Sequence, residues 1–295
     1  MQIAIVGAGL AGLAAAYFLI EKGIGVTLFD EKGVGGGASG VCSGLLHPYP
    51  GLGARLSHLA DEGIELAHQL IGVAQVETSL PLMLTEGILR QAVDAEQKQR
   101  LMSYADVEQI EGDLFLLQRG RTVFCLDYLQ ALAAFLQKRG AIFVRQKIEN
   151  LEEMGSFDRI LLAAGFGVKS FVQLPVKYLK GQLLCYKGAV PFAKSFISKG
   201  YIARTREGFE VGATYERNFT SEAPCLETAE KLLPFYPGEL IGVKAAVRVC
   251  GRAHYLPIVE QLSERLFVFT GLGSRGLLYH GLFGRKVAEM IARSL

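Results

Sequence analysis

The chain has 295 residues, half of them hydrophobic, and a formal net charge of +2, which allows one large domain or two closely joined ones and excludes the overall basic field of a dedicated nucleic-acid binder, though not a local basic patch. The mean hydropathy is positive, +0.28, yet no uncharged apolar run approaches the roughly 18–20 residues of a spanning helix. The longest apolar stretch, residues 3–20, is broken by Gly7, Gly9 and Gly12 and lacks a basic flank, so neither a membrane span nor a signal peptide is expected and the reading is a soluble, cytoplasmic protein.

In chain order, residues 2–6 read as a short strand, 7–12 as a glycine turn, 13–22 as a helix closed by Gly23, and 26–29 as a second strand ending at Asp30. Within about 30 residues this makes a βαβ unit. A glycine-rich loop (33–44) and an amphipathic helix (58–71) follow, then strand pieces at 80–85 and 88–91 and a helix at 94–102. Residues 127–139 form a helix with Leu129, Leu132, Ala133 and Leu136 on one face. Strands are expected at 141–145, 148–151 and 158–164. Alternating apolar and polar residues at 181–186, 201–204 and 210–214 predict an antiparallel sheet. Residues 266–270, 271–276 and 282–293 return to strand, glycine turn and helix. The expected class is α/β with a second, α+β domain.

Four segments carry chemistry. In Gly7-Ala8-Gly9-Leu10-Ala11-Gly12 the first glycine permits a tight turn, the second lets backbone approach a pyrophosphate, and the third lets helix pack on strand; the helix N-terminus then offers free N–H groups to the phosphates. Asp30 is placed to accept ribose hydroxyls, with Glu31 and Lys32 beside it. Gly36-Gly37-Ala38-Ser39-Gly40 and Ser43-Gly44-Leu45-Leu46 are poor enough in side chains to wrap backbone around an extended ligand and turn N–H groups toward phosphate and ribityl oxygens. Ala163, Ala164 and Gly165 close a buried strand and admit a cofactor at short range. Finally, Thr270-Gly271-Leu272-Gly273-Ser274-Arg275-Gly276-Leu277 is a second glycine turn before a helix, whose N-terminus suits the anionic pyrimidine edge of a reduced flavin. The first segment alone says only dinucleotide; together they make FAD the expected cofactor. The plainer readings are unliganded turns, a surface acid and an ordinary strand. Five widely spaced cysteines without a CxxC pair read as small buried residues, the alternative being a flavin attached covalently to one of them, and no metal site is expected.

In this order the segments resemble the D-amino-acid oxidase (DAO) family of flavoproteins, which includes glycine oxidase, sarcosine oxidase and D-amino-acid dehydrogenases. The resemblance spans nearly the whole chain. Within the family, Gly37-Ala38-Ser39-Gly40, Gly44-Leu45-Leu46-His47-Pro48, Gly212-Ala213-Thr214-Tyr215 and the Gly271 turn are most similar to the C-terminal flavin domain of the bifunctional enzymes that build 5-methylaminomethyl-2-thiouridine in tRNA. That domain removes a carboxymethyl group oxidatively from a modified wobble uridine. Their methyltransferase domain has no counterpart here, so a stand-alone version is expected.

The resemblance implies a Rossmann-like FAD-binding domain (1–75, 127–172 and 245–295) with an inserted mixed or antiparallel-sheet substrate domain (76–126 and 173–244), and adds Ile148 to the cofactor contacts. It implies oxidation of the C–N bond of a carboxylated amine: hydride passes to flavin N5 and the imine hydrolyses in water. The substrate is then a tRNA wobble group or a small amino acid such as glycine, sarcosine or a D-amino acid, and the electron acceptor oxygen or a carrier. A flavin-binding protein without turnover is the rival from another class. Arg248 occupies the position where the family clamps a substrate carboxylate, although Arg252-Ala253-His254-Tyr255 replace the acidic and glycine residues usual before Pro257; the alternative is a structural ion pair. Arg275 touches flavin or substrate, or faces solvent. His47 lies near the flavin face or packs in a turn. Tyr201 and Tyr215 line the pocket or sit on a half-buried strand. For a tRNA substrate, Lys177, Lys180, Lys187, Lys194, Lys199, Arg204 and Arg206 are candidate contacts.

Overall fold

The computed structural model describes residues 1–190, 192–232, 238–251 and 255–295. Arg252, Ala253 and His254 lie outside the described residues.

Strand β1 (Gln2–Val6) feeds helix α1 (Leu10–Ile20), which begins early enough to enclose Gly12. β2 (Gly25–Phe29) follows, and the glycine-rich loop winds into one helical turn, α2 (Ala38–Val41). Next come β3 (Leu45–Leu46), α3 (Ala60–Gln75), β4 (Met83–Leu84), β5 (Ile88–Gln91) and α4 (Ala95–Met102). The Asp94 carboxylate caps α4, accepting the Gln97 N–H at 2.7 Å. β6 (Val107–Glu111), β7 (Leu114–Leu117) and β8 (Arg121–Val123) precede α5 (Cys125–Lys138). β9 (Ile142–Val144), β10 (Arg159–Leu162), β11 (Val176–Lys187), β12 (Phe196–Ile197), β13 (Tyr201–Arg204) and β14 (Gly208–Gly212) lead to the short α6 (Leu226–Ala229). β15 (Glu239–Gly251), β16 (Ile258–Gln261), β17 (Leu266–Thr270) and α7 (Gly276–Arg293) complete the chain.

Two expected elements differ most. No strand forms at 148–151; a 3₁₀ turn, Leu151–Met154, starts there instead. The Asn150 side chain accepts the Glu152 N–H at 3.0 Å and the Glu153 carboxylate accepts the Asn150 N–H at 2.9 Å, a capping box that satisfies backbone donors a strand would need a neighbour for. The last helix begins at Gly276, six residues before 282, because Gly276, Gly281 and Gly284 pack against neighbours and do not break it.

One sheet has six strands in the order β16-β17-β10-β1-β2-β9, parallel except for β16 at its edge. Alternate residues of β1 face opposite layers, as a pleated strand requires. Ile3 and Ile5 share a core with Leu13, Leu132 and Leu282 from α1, α5 and α7. Ala4 and Val6 pack with Ile148, Met154, Val168 and Val268 on the other side. A second, mixed sheet has eight strands, β15-β11-β14-β13-β12-β5-β7-β6, and β3-β8-β4 form a third. β15 pairs with β11 along nearly its whole length, so the division expected at residue 245 falls inside one continuous strand. Among the described residues, no helix is long and apolar enough to cross a membrane.

Candidate functional site

β1, β10 and β17 end side by side at the carboxyl edge of the six-stranded sheet, where ligands of open α/β sheets bind. At Gly7 the chain turns with φ +113°, and a Cβ there would meet the Ala163 carbonyl oxygen at 2.3 Å. A Cβ on Gly12 would lie 1.9 Å from the Gly7 oxygen. Glycine at both positions lets β1, β10 and α1 crowd together. The N-cap of α1, Gly9, has no side chain to cap the helix and the first turn holds no acidic residue, so its positive end faces the space beyond the strands. Asp30 Oδ2 accepts the Ala8 N–H and Oδ1 the Lys32 N–H, each at 2.9 Å. These bonds fix the carboxylate while each oxygen keeps a lone pair for a hydroxyl donor. Ser39 Oγ of α2 accepts the Leu10 N–H at 3.1 Å and ties the second glycine segment across the first.

These parts wall one cavity of about 920 Å³, near the upper end for ligand pockets. Of the expected cofactor residues, Gly7, Gly9, Leu10, Ala11, Asp30, Glu31, Lys32, Gly37, Ala38, Ser39, Ser43, Gly44, Leu45, Ile148, Ala163, Ala164, Gly165, Gly271, Gly273, Ser274, Arg275, Gly276 and Leu277 line it. Ala8 and Gly12 stand behind, as donor to Asp30 and as packing partner of Gly7. The α7 N-terminus also opens here without a side-chain cap or an acid in its first turn. A backbone cradle that Cβ atoms would fill, two helix N-termini without an acidic residue in their first turns and a fixed carboxylate fit FAD, an anionic dinucleotide with ribose hydroxyls.

Further lining residues escaped the sequence reading. Gln146, Lys147 and Glu149 leave β9 beside Asp30, and the Gln146 N–H donates to the Asp30 carbonyl at 3.2 Å. That position follows only from the pairing of β9 with β2; no local motif marks it. Phe29, Phe166 and Gly181 likewise carry no motif.

The remaining candidates divide. Arg248, on β15 opposite Leu179 of β11, is half-buried and lines the cavity. Its Nη2 lies 3.1 Å from where a Cβ on Gly181 would stand, so glycine there gives the guanidinium its room. Among the described residues no carboxylate pairs with Arg248. Tyr201 also lines the cavity, its hydroxyl accepting from Ser43 Oγ at 3.3 Å. Burial pushes the Tyr201 pKa up to about 12, so the phenol is neutral and keeps its own proton to donate. His47 lines the cavity but is nearly buried; burial first and the Arg90 guanidinium second lower its pKa to about 3. Its Nδ1 accepts the Tyr49 N–H at 3.2 Å, which leaves the proton on Nε2. Arg275 is the N-cap of α7, with its guanidinium 5.0 Å from the Tyr255 ring centre.

Tyr215 is outside the cavity. It is 58% exposed, with the Arg217 guanidinium 5.6 Å from its ring centre. The strand expected at 210–214 stops at Gly212, and Glu216 pairs with the backbone of Lys180, so the chain has turned away before Tyr215. Of the basic candidates, three have internal partners. Lys180 is buried and donates to the Ala223 carbonyl at 2.7 Å, Arg204 pairs with Glu86 at 2.7 Å and Arg206 with Asp127 at 2.6 Å. Lys177, Lys187 and Lys199 are exposed and Lys194 is half-buried.

A family model described as "DAO: FAD dependent oxidoreductase" matches residues 2–290. The tRNA 5-methylaminomethyl-2-thiouridine biosynthesis bifunctional protein MnmC of Caulobacter vibrioides is 28% identical over 332 residues, covering 99% of this chain and 54% of that protein. MnmC of Maricaulis maris is 26% identical over 317 residues, covering 97% and 51%. The chain thus spans about half the length of these relatives. Glycine oxidase from Geobacillus kaustophilus superimposes with a TM-score of 0.81 at 20% identity, covering 99% of this chain and 95% of that one. Iminodiacetate oxidase from Chelativorans sp. BNC1 does so with 0.78 at 19% identity and the same coverage. At such identities the two structures speak to fold alone.

Proposed function

We propose, for a chain that belongs to the DAO family of FAD-dependent oxidoreductases, that it oxidises the C–N bond of a carboxylated amine. Bound FAD supplies the two-electron acceptor. Gly7, Gly9, the α2 segment, Asp30 and the N-terminus of α7 hold it, within a unit built on the six-stranded sheet; the eight-stranded sheet carries the substrate side. The observation that supports this reading best is the half-buried Arg248 guanidinium, which faces the cavity without a carboxylate partner among the described residues. A planar fork of donors in that position takes a substrate carboxylate in two parallel hydrogen bonds. Tyr201 stays protonated to about pH 12 and offers a neutral donor beside it. His47, with a pKa of about 3, holds its proton on Nε2 and does not draw one from an ammonium near neutral pH. The amine therefore enters unprotonated, and binding does the positioning.

The relatives' names, which give tRNA 5-methylaminomethyl-2-thiouridine biosynthesis, support a modified tRNA uridine as the substrate, and the carboxylated amine it would carry is a carboxymethylaminomethyl group at the wobble position. Lys177, Lys187, Lys194 and Lys199 would then meet phosphates. A small amino acid is the second reading, favoured by the internal pairing of Lys180, Arg204 and Arg206. In either case the reaction belongs in the cytoplasm, with oxygen or a carrier taking the electrons. Anaerobic mixing of the FAD-loaded protein with glycine, sarcosine, D-amino acids and hypomodified tRNA in turn tests both. Flavin absorbance lost only with tRNA supports the first reading. Loss only with small amino acids supports the second, and loss with none removes both.

A further inference from the structure

Cys42 and Cys125 are 83 positions apart, yet lie opposite each other. β3 and β8 pair antiparallel with Leu45 across from Thr122 and Leu46 across from Arg121. The ladder continues through the Val123 N–H, which donates to the Gly44 carbonyl at 2.8 Å. The same register carried past the strand ends sets position 42 against 125. Cys42 leaves α2 and Cys125 opens α5, and the contact between their Sγ atoms brings the two thiols within reach of a bond. Both cysteines are unbridged thiols, with Sγ atoms 2.8 Å apart. Cys42 is half-buried and lines the cofactor cavity, whereas Cys125, the first residue of α5, is buried behind it.

We propose that Cys42 and Cys125 form a reversible redox pair in which Cys42 is oxidised first by a hydroperoxide arriving through the cavity and Cys125 closes the disulfide. In the first step the Cys42 thiolate attacks a peroxide oxygen. An S–O bond forms, the O–O bond breaks, the sulfur is oxidised to a sulfenic acid, and the displaced oxygen leaves as water or alcohol after taking a proton. In the second step the Cys125 sulfur attacks the Cys42 sulfur. The S–S bond forms, the S–O bond breaks, and hydroxide takes the Cys125 proton and leaves as water. Two thiols and one hydroperoxide thus give one disulfide and water, or water and an alcohol. The division of roles follows from position and charge. Only Cys42 reaches the cavity, and its hydrogen bond with Cys125 lowers its pKa, while the same contact and burial raise that of Cys125. The bond would staple the Ser39–Gly44 wall of the cofactor cavity to α5.

The test treats the FAD-loaded protein with hydrogen peroxide, blocks remaining thiols under denaturing conditions and maps peptides without reductant. The expected result is a linked peptide pair carrying Cys42 and Cys125, titratable thiols falling from five to three, and full return with a dithiol reductant. In Cys125→Ser, Cys42 should be trapped as sulfenic acid by dimedone and no link should form; in Cys225→Ser the link should persist. Should Cys125→Ser not fold, the wild-type map decides alone. Recovery of Cys42 and Cys125 both alkylated while the exposed Cys225 is oxidised would overturn the proposal. So would oxidation of Cys42 in the wild type without a link to Cys125.

Discussion

Replacing Arg248 by Met isolates the guanidinium. The side chain stands over Gly181 and has no carboxylate partner among the described residues, so its removal orphans no internal charge, and the melting temperature should stay close to the wild type. The substrate carboxylate, by contrast, loses a charge-assisted bidentate contact. Such hydrogen bonds are worth about 1.5–3 kcal/mol each, and sharing one guanidinium brings the pair to about 3–4 kcal/mol. At about 1.4 kcal/mol per tenfold, kcat/KM for a carboxylated amine should fall about 10²–10³-fold. Arg248→Lys keeps the charge without the fork and should lie between. The assay is stopped-flow flavin reduction under anaerobic conditions, run with each amine and with its counterpart lacking the carboxylate. The poorer counterpart should react alike with wild type and variant, because the contact it lacks is the one removed. The reasoning fails if both substrates lose rate equally, or if the carboxylated one stays within about threefold of the wild type while the flavin remains bound.

Other consequences follow from the same geometry. Gly12→Ala puts a Cβ 1.9 Å from the Gly7 oxygen; the helix must shift, and purified protein should retain little FAD and melt several degrees lower, which flavin absorbance and calorimetry read. Asp30→Asn keeps the shape but removes the anion facing the Ala8 and Lys32 N–H groups; FAD should bind about tenfold more weakly, the equivalent of one charge-assisted hydrogen bond, as titrated by flavin fluorescence. His47 and His280 have folded pKa values lowered from 6.5 to about 3 and about 4, both mainly by burial. The unfolded chain therefore binds more protons between those values and 6.5, so stability is full above pH 6.5 and is lost as pH falls. By pH 5 each imidazole should cost about 2 kcal/mol, and His280→Gln should remove about half of the combined loss in urea titrations at pH 7.5 and 5. If tRNA is the substrate, Lys177→Glu with Lys199→Glu should weaken its binding and flatten the salt dependence, leaving turnover of small amines unchanged.

The cofactor side was legible because it depends on glycine. A tight turn, a close approach and a helix entry each forbid a Cβ, and that demand shows in Gly7, Gly9, Gly12 and Gly271 through Gly276 whatever the rest of the chain does. What escaped depends on pairing between distant segments. Gln146 through Glu149 reach the cavity because β9 lies beside β2, and Cys42 meets Cys125 because β3 lies beside β8. Alternation along residues 210–214 suggests a strand with Tyr215 on its sheet, but only the pairing with β11 and β13 shows that the strand ends at Gly212 and sends Tyr215 outward. Charge was misleading for a similar reason. Lys180, Arg204 and Arg206 look like a basic face in one dimension, while their partners Ala223, Glu86 and Asp127 come from elsewhere in the chain. The capping box at Asn150 and Glu153 was readable locally, but apolar Ile148 and Leu151 drew the reading toward a strand.

The central claim, cleavage of a C–N bond in a carboxylated amine, is tested most directly by product analysis. Under anaerobic conditions, in a single turnover, FAD-loaded protein is mixed with each candidate amine and the quenched mixture is examined by mass spectrometry. The account predicts shortened amine and carbonyl product in equal amounts, matching the flavin reduced, and only for amines that carry a carboxylate. Flavin reduction without C–N cleavage, or cleavage that ignores the carboxylate, would contradict it.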